Sequence, residues 1–481
     1  MDKDAYLEIN ASQRPALALF EAMGYTYISP ADCDKQRGSR YHVLLRDILR
    51  GQLRRLNRYV YAGAENEFSA ANIERAMEDL DEPLTDGLVR TSEKIYDALL
   101  LGKSYPETVG DGKMLSFNLR YIDWDNPQNN VFHVTEEFAV DSRDRQHNAR
   151  PDIVLFINGI PFAVIECKAP HIPVEEAVGQ MIRNQQAAYI PQLFKFAQFV
   201  VATNKNAVKY ATVGTPKKFW SFWKEQDTEW LQARLSVLVP DRMPTEQDRN
   251  IVSLFSPERV FELIRYFILF DANVKKVCRY QQFFAVREIM KTIAESDEHG
   301  NRRSGVIWHT QGSGKSLTMV MLAKTILMEL KDCHPRVVIV TDRKELDAQI
   351  AATFAHTRLT PARATSGRHL VELVNSARAD VITSIINKFN TVERQEIKNP
   401  SRDIFVLVDE SHRSNYGLMA TRMRSVFPNA CYIGFTGTPL MKSEKNTMAR
   451  FGRLIHKYTI RDGVEDGAIV PLIYEGRFVE Q

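Results

Sequence analysis

The chain has 481 residues, 44% of them hydrophobic and 26% charged, with a formal net charge of +3. That length leaves room for roughly three domains, the composition excludes a disordered chain, and the small net charge excludes a protein that coats nucleic acid by bulk basicity, so such contacts must come from local patches. The cysteines are scattered with no Cys-x-x-Cys pair, which argues against a disulfide framework or zinc site; the charged N-terminus and the lack of any apolar run near about 18 residues lead us to expect a reduced, cytoplasmic protein with no membrane partner.

The first clear element is a helix, on which Leu45, Ile48, Leu49, Leu53 and Leu56 recur at helical spacing. Arg46, Arg50, Arg54 and Arg58 form a row at i, i+4 along it, either a phosphate grip or a solvated face. From Val131 to Val201 the pattern changes to short strands and one helix. Ile153–Ile157 and Pro161–Cys167 read as a hairpin about Asn158-Gly159, carrying Arg150-Pro151-Asp152 at one end and Glu166-Cys167-Lys168 at the other.

Parity makes a sharp demand on that hairpin. Glu166 and Lys168, two apart, share a face, and Asp152 must join them if all three serve one metal and one phosphate. A two-residue loop of Asn158-Gly159 pairs Ile157 with Ile160 and sets Asp152 opposite Ile165, on the wrong face. A three-residue loop, Ile157-Asn158-Gly159, pairs Phe156 with Ile160 and Asp152 with Val164, restores the shared face, and predicts a positive φ at Gly159. A regular two-residue turn with no bulge elsewhere would separate the three residues.

The residue types explain the interest. Asp152 and Glu166 suit Mg²⁺, a hard ion that prefers oxygen ligands and activates bound water. Lys168 can orient that water and balance charge developing on phosphorus. Gln185 and Tyr189, four apart, are expected on one helix face, bracing the site or touching the DNA backbone, with a plain surface face as the alternative. The Asp…Glu-x-Lys spacing is weak alone, since such spacings arise freely; the apolar hairpin and the following Gln-x-x-x-Tyr strengthen it.

Trp220, Trp223 and Trp230 lie near Lys217, Lys218 and Lys224, either as a base-stacking surface or as packing at a domain edge. Pro240 to Asn250, polar and charged, reads as a linker, placing one domain at 1–250 and the next at 251–470. Ser256-Pro257 should start a helix, and Glu295 to Arg303 an exposed loop. Beyond it, β-rich runs (Gly305–Trp308, Val337–Val340, Val381–Thr383, Ile404–Val408, Tyr432–Phe435) alternate with helix-length stretches, the rhythm of a parallel sheet covered by helices.

Gly312-Ser313-Gly314-Lys315-Ser316 follows the first of these strands and opens a helix, the context of a phosphate loop. Lys315 should reach the β- and γ-phosphates of ATP and Ser316 should ligate its Mg²⁺. His309 stands where the usual first glycine of the pattern would be. Ile404–Val408 ends in Asp409-Glu410, with Asp409 expected in the Mg²⁺ shell and Glu410 expected to activate the attacking water. Thr436-Gly437-Thr438 could sense the nucleotide state, and Gln282 could read the adenine edge, although Gln281 is adjacent.

Taken together, Arg150-Pro151-Asp152, Ile165-Glu166-Cys167-Lys168, Gln185-x-x-x-Tyr189, Trp308-His309-Thr310-Gln311-Gly312-Ser313-Gly314-Lys315-Ser316, Asp409-Glu410-Ser411-His412 and Phe435-Thr436-Gly437-Thr438-Pro439 resemble, in order, the restriction (R) subunit of type I restriction-modification enzymes. The His-Thr-Gln form of the phosphate loop is itself characteristic of that family. Thr341-Asp342-Arg343 and Thr383-Ser384-Ile385 resemble its DNA-contacting helicase motifs Ia and Ib less specifically.

The resemblance implies an α/β chain: a PD-(D/E)xK nuclease-like domain followed by a RecA-like parallel-sheet domain, the first motor domain of a superfamily 2 translocase. It further implies double-stranded DNA as substrate, modification (methyltransferase) and specificity subunits as partners, and S-adenosylmethionine through the modification subunit. Residues 471–481 should begin the connection to a second RecA-like domain that this chain does not contain, so ATP binding with little DNA-stimulated hydrolysis is expected of it alone. Other nuclease–helicases of repair or type III restriction, an ATP-binding assembly module with an inert nuclease, and an RNA helicase are the competing readings. The last leaves the Asp152–Lys168 hairpin without a role.

Overall fold

The structure, a computed structural model, describes residues 7–341, 361–376, 379–385, 388–389, 398–409, 416–437 and 451–470. The chain divides into two compact units, Met1–Arg279 and Tyr280–Gln481. Among the described residues no helix is long and apolar enough to cross a membrane.

In the first unit a six-stranded sheet runs in chain order: β1 (Thr26–Tyr27), β2 (Phe132–Glu136), β3 (Ile153–Ile157), β4 (Ile160–Cys167), β5 (Phe199–Thr203) and β6 (Val208–Ala211). Neighbours are antiparallel except β1 with β2 and β4 with β5. Helices α1 (Arg14–Ala22), α2 (Arg46–Leu56), α3 (Val174–Asn184) and α4 (Glu246–Phe255) belong to the same unit. The parallel step from β4 to β5 needs a long crossover, which α3 supplies. β3 and β4 are buried at every position, which is why their sequences, IVLFI and IPFAVIEC, are almost wholly apolar instead of alternating.

One expectation for this unit changes, and two open alternatives resolve. Pro240 to Asn250 is no linker: Thr245 and Asp248 form a capping box at the start of α4, and Gln247, Asp248 and Asn250 are buried. Gln247 accepts hydrogen bonds from Ser12 at 2.6 Å and Thr203 at 3.0 Å, tying the segment into the core, and the division falls after Arg279 rather than near residue 250. The arginine row is broken up: α2 ends at Leu56, Arg46 and Arg50 pair with Glu74, Arg58, already on a strand, pairs with Glu67, and Arg54 is exposed. The tryptophans pack: Trp220 and Trp223 are buried, and Arg259, paired to Glu225 at 3.1 Å, lies 4.7 Å over the ring of Trp230.

In the second unit the strands are β7 (Gly305–His309), β8 (Arg336–Thr341), β9 (Pro361–Arg363), β10 (Val381–Ile385), β11 (Ile404–Val408), β12 (Cys431–Thr436) and β13 (Arg453–Tyr458). They form one seven-stranded sheet, order β9-β10-β8-β11-β12-β7-β13, parallel throughout. The five expected strands are all present, and β9 and β13 extend the sheet at its two edges. Helices α5 (Tyr280–Ala294) and α6 (Lys315–Glu329) flank β7 in sequence. The stretch Glu295–Gly300 is exposed, as expected. In a parallel sheet all carboxyl ends lie on one edge, where such folds place their ligands.

Candidate active site

The turn between β3 and β4 has two residues, not three. Asn158 and Gly159 have φ of 54° and 83°, and Ile157 pairs with Ile160. This is the left-handed two-residue hairpin turn favoured by Asn-Gly. Gly159 carries the positive φ expected of it, but the three-residue loop does not form. Parity is repaired by a bulge at Phe162, since Pro161 faces Phe156 while Ala163 faces Leu155. Past the bulge Ile165 faces Ile153, which sets Asp152 across from Glu166 on the same face.

Packing explains the choice. The turn is covered by the start of α2, where the Leu45 N–H donates to the Gly159 carbonyl at 2.9 Å, and a Cβ on Gly159 would lie 2.6 Å from the Leu45 oxygen. Asn158 is fully buried, its amide donating to the Tyr121 carbonyl at 3.0 Å and to Asn130 Oδ1 at 2.8 Å. No room remains for a third loop residue, and the extra residue goes next to Pro161, which has no N–H to lose from the ladder.

At the site, Asp152 Oδ2 accepts the Cys167 N–H at 2.6 Å. Lys168 Nζ donates to Glu166 Oε1 at 3.1 Å and to the Cys167 carbonyl at 2.8 Å. Gln180, on α3, donates to the same Glu166 oxygen. Glu8 Oε2 lies 3.8 Å from Lys168 Nζ, and Gln13 donates to the Asp152 carbonyl at 3.4 Å. Burial pushes both carboxyls above the ordinary range, and Asp152 adds to the effect on Glu166. Burial opposes the charge on Lys168, but Glu166 and then Glu8 and Asp152 outweigh it and raise its pKa.

A divalent cation fits these residues. Glu166 is 1% exposed, and its Oε2 is buried with no hydrogen-bond partner. Two buried carboxylates facing each other form an oxygen-only donor set that a hard cation would neutralise. Among the described residues no group of three His, Cys, Asp or Glu converges as a metal site.

Gln185 and Tyr189 are not brought to the carboxylates. α3 ends at Asn184, so the two do not share a helix face. Gln185 accepts the Gly214 N–H at 2.8 Å and donates to the Met181 carbonyl at 3.1 Å, while Tyr189 stacks on His147 with centroids 5.1 Å apart. The glutamine that reaches Glu166 is Gln180. Its signal was the apolar stripe Val174, Ala177, Val178, Met181, which marks the face of α3 turned to the sheet and puts Gln180 at its border.

In the second unit β7 ends at His309, and α6 begins at Lys315 with Gly314 as its left-handed cap, φ 88°. A Cβ on Gly314 would meet the Gln282 amide at 2.5 Å, a side-chain end that can shift, so the positive φ is what calls for glycine here. Gln282 donates to the Gly314 carbonyl at 3.2 Å, giving its amide a partner in the loop. Lys315 Nζ donates to the His309 carbonyl at 3.3 Å. Gly312 and Ser313 complete the loop, and Ser316 lies in the first turn of α6. Asp409 follows β11 and is buried, and Thr436 closes β12, which lies between β11 and β7. Lys315, Ser316, Asp409, Thr436 and Gly437 therefore sit at the carboxyl edge of neighbouring strands. Glu410, Ser411, His412, Thr438, Pro439, Asp342 and Arg343 lie outside the described residues. Thr341, at the end of β8, and Thr383 and Ser384, within β10, are fully buried.

The side chain of His309 fills the space left by the missing glycine. It is fully buried, and its Nε2 is 2.9 Å from His456 Nδ1 on β13. Burial lowers both imidazoles, His456 to about 4 and His309 well below its ordinary value, so the pair is neutral near pH 7.

Residues 5–219 match the family described as type I restriction enzyme R protein N terminus, and residues 281–481 match the SWI2/SNF2 ATPase family. The type I restriction enzyme HindI endonuclease subunit of Haemophilus influenzae is 31% identical in an alignment of 437 positions that covers 82% of this chain and 40% of that protein. The type I restriction enzyme SsaAORF53P endonuclease subunit of Staphylococcus saprophyticus is 28% identical over 73% of this chain and 37% of its own length. A solved SWI2/SNF2 ATPase core of Sulfolobus solfataricus in complex with dsDNA is 14% identical over 35% of this chain and 34% of that one, with a TM-score of 0.27. The chain thus spans about 40% of the length of the first of these relatives. By the hairpin site, the phosphate loop and these matches, the chain belongs to the type I restriction enzyme R protein family, with an HsdR N-terminal nuclease region followed by a SWI2/SNF2-type RecA-like ATPase region.

Proposed function

We propose that this chain cleaves double-stranded DNA at Asp152, Glu166 and Lys168 with Mg²⁺, coupled to an ATP-driven motor. It acts in the cytoplasm as the restriction subunit of a type I assembly with modification and specificity subunits. S-adenosylmethionine enters through the modification subunit. The observation that carries the reading is the placement of Asp152 across from Glu166, with Lys168 Nζ 3.1 Å from a Glu166 oxygen and the other Glu166 oxygen buried without a partner.

Asp152 and Glu166 would hold the ion, which when bound polarises the phosphate and makes water acidic enough to attack. The Cys167 N–H fixes one Asp152 oxygen and leaves the other to face the site. Lys168, kept charged by its acidic neighbours, stabilises the negative charge that grows on the phosphoryl oxygens. In the second unit Gly312, Ser313, Gly314 and Lys315 cradle the triphosphate, Ser316 and Asp409 hold its Mg²⁺, Glu410 activates the hydrolytic water, and Gln282 braces the loop. Thr436, Gly437 and Thr438 pass the nucleotide state onward.

The test is ATP-dependent cleavage of unmodified DNA by the chain co-purified with modification and specificity subunits. Asp152→Ala and Lys168→Ala are each expected to lower cleavage by about a hundredfold or more while ATP binding persists. Undiminished cleavage in Asp152→Ala would remove the nuclease assignment.

A further inference from the structure

The hairpin that leads into Asp152 is built as a basic finger. Val140–Asp141 pairs with Asn148–Ala149, and the tip is fixed internally. The Ser142 N–H donates to the His147 carbonyl at 2.8 Å, and Asp144 accepts from Ser142 Oγ at 2.6 Å and from the Gln146 N–H at 3.0 Å. The single carboxylate of the tip is thus turned inward to hold the turn. Arg143 and Arg145 are exposed, and neither guanidinium has an ion pair or hydrogen bond among the described residues.

Behind the finger lies a recess of about 600 Å³, lined in part by Arg143, Tyr41, His42, Tyr189, Gln192 and Lys195. Its charge is graded. Arg143 and Tyr41 are exposed at the rim, whereas Lys195 is buried and neutralised by Asp81 at 2.6 Å. A rim with an unneutralised guanidinium suits a phosphate. A polar but balanced interior with an aromatic wall suits the edge and face of a base. The volume falls in the range of small-ligand pockets and is too small for a base pair with its helix.

Two walls of the recess continue along the chain to residues of the carboxylate site, although Gln185 and Tyr189 themselves are not brought to it. Only Arg150 and Pro151 separate the finger from Asp152, and Ala149 to Asp152 reaches at most about 10 Å. The opposite wall, Gln185 to Gln192, continues from α3, whose Gln180 binds Glu166.

We propose that this recess takes one unpaired nucleotide of the DNA strand beside the cleavage site, with its phosphate on Arg143 and its base against Tyr41. The inference rests on the nuclease reading above and adds that the strand must be locally opened to be seated, as when an enzyme draws a base out of the stack.

The test uses the full chain with Ca²⁺ and fluorescent duplexes, one continuous and one carrying a short bulge of unpaired nucleotides, read by anisotropy. The chain is expected to bind the bulged duplex about tenfold more tightly. Arg143→Ala and Tyr41→Ala should each erase most of that preference, Tyr41→Phe should keep it, and affinity for the continuous duplex should change little. Equal affinity for the two duplexes, or a preference untouched in Arg143→Ala and Tyr41→Ala, overturns the proposal. Asp152→Ala should retain the preference while losing cleavage. A failed nuclease reading would instead show as cleavage surviving Asp152→Ala, so the two failures are distinct.

Discussion

At the scale of single residues, the site depends on how Glu166 is held. One oxygen takes Lys168 and Gln180, which leaves the other directed to the site. In the proposed reaction Gln180 would act through Glu166, as a positioning residue. Gln180→Ala should lower cleavage about tenfold, and Gln180→Glu should be worse, because it sets a half-buried like charge against Glu166 where a donor stood. A merely structural role would not separate the two, so the order Gln, Ala, Glu in cleavage rate, with ATP hydrolysis unchanged, is the measurement. The convergence of Asp152, Glu166 and Lys168 was legible in the sequence because a strand restricts which spacings share a face. Gln180 was not, because its role depends on which face α3 turns toward the sheet. The choice of Gln185 followed a spacing that loses its meaning where the helix stops at Asn184.

At the scale of elements, the bulge at Phe162 does what the loop was expected to do. The sequence demanded an odd count between Asp152 and Glu166 but could not say where the extra residue sits; that depends on α2 closing over the turn, a tertiary contact without a local signature. Inserting one alanine after Phe162 should slip the register by one, set Ile165 instead of Glu166 across from Asp152 and abolish cleavage. Phe162→Ala keeps the backbone count, so it should cost about 3 to 5 kcal/mol of stability yet leave cleavage per folded molecule near normal. Cleavage assays paired with thermal melts of the two variants decide this, and comparable loss in both would mean the bulge is incidental. The parallel strands of the second unit were easier to read, since each is an apolar run followed by a helix. The edges β9 and β13 were missed because edge strands are less apolar: β13 reads RLIHKY and is only partly buried.

At the scale of the whole molecule, the two compact units should melt separately in calorimetry. ATP should raise only the transition of the phosphate-loop unit, and Lys315→Ala should remove that rise. The same transition should be acid-sensitive. His309 and His456 are lowered by burial below the ordinary 6.5, so the unfolded chain takes up protons first as pH falls. Stability from this pair is therefore complete above about pH 6.5 and is lost as pH falls, the His456 share through about 4 and the His309 share at lower pH. His456→Gln should flatten that slope; an unchanged pH dependence would exclude the pair as its source.

The buried turn also sets how the molecule ages. Asn-Gly is chemically fragile, because an unhindered glycine nitrogen can attack the asparagine amide and release ammonia. While folded, Asn158 is shielded, its amide clasped by Tyr121 and Asn130. Every unfolding event opens a window for deamidation. The resulting acid would point an anion at two carbonyl oxygens on refolding. Heat-cycled preparations should thus lose the cutter permanently while the motor unit recovers, with peptide mass mapping finding the lesion at Asn158. Permanent loss with Asn158 intact would place the damage elsewhere.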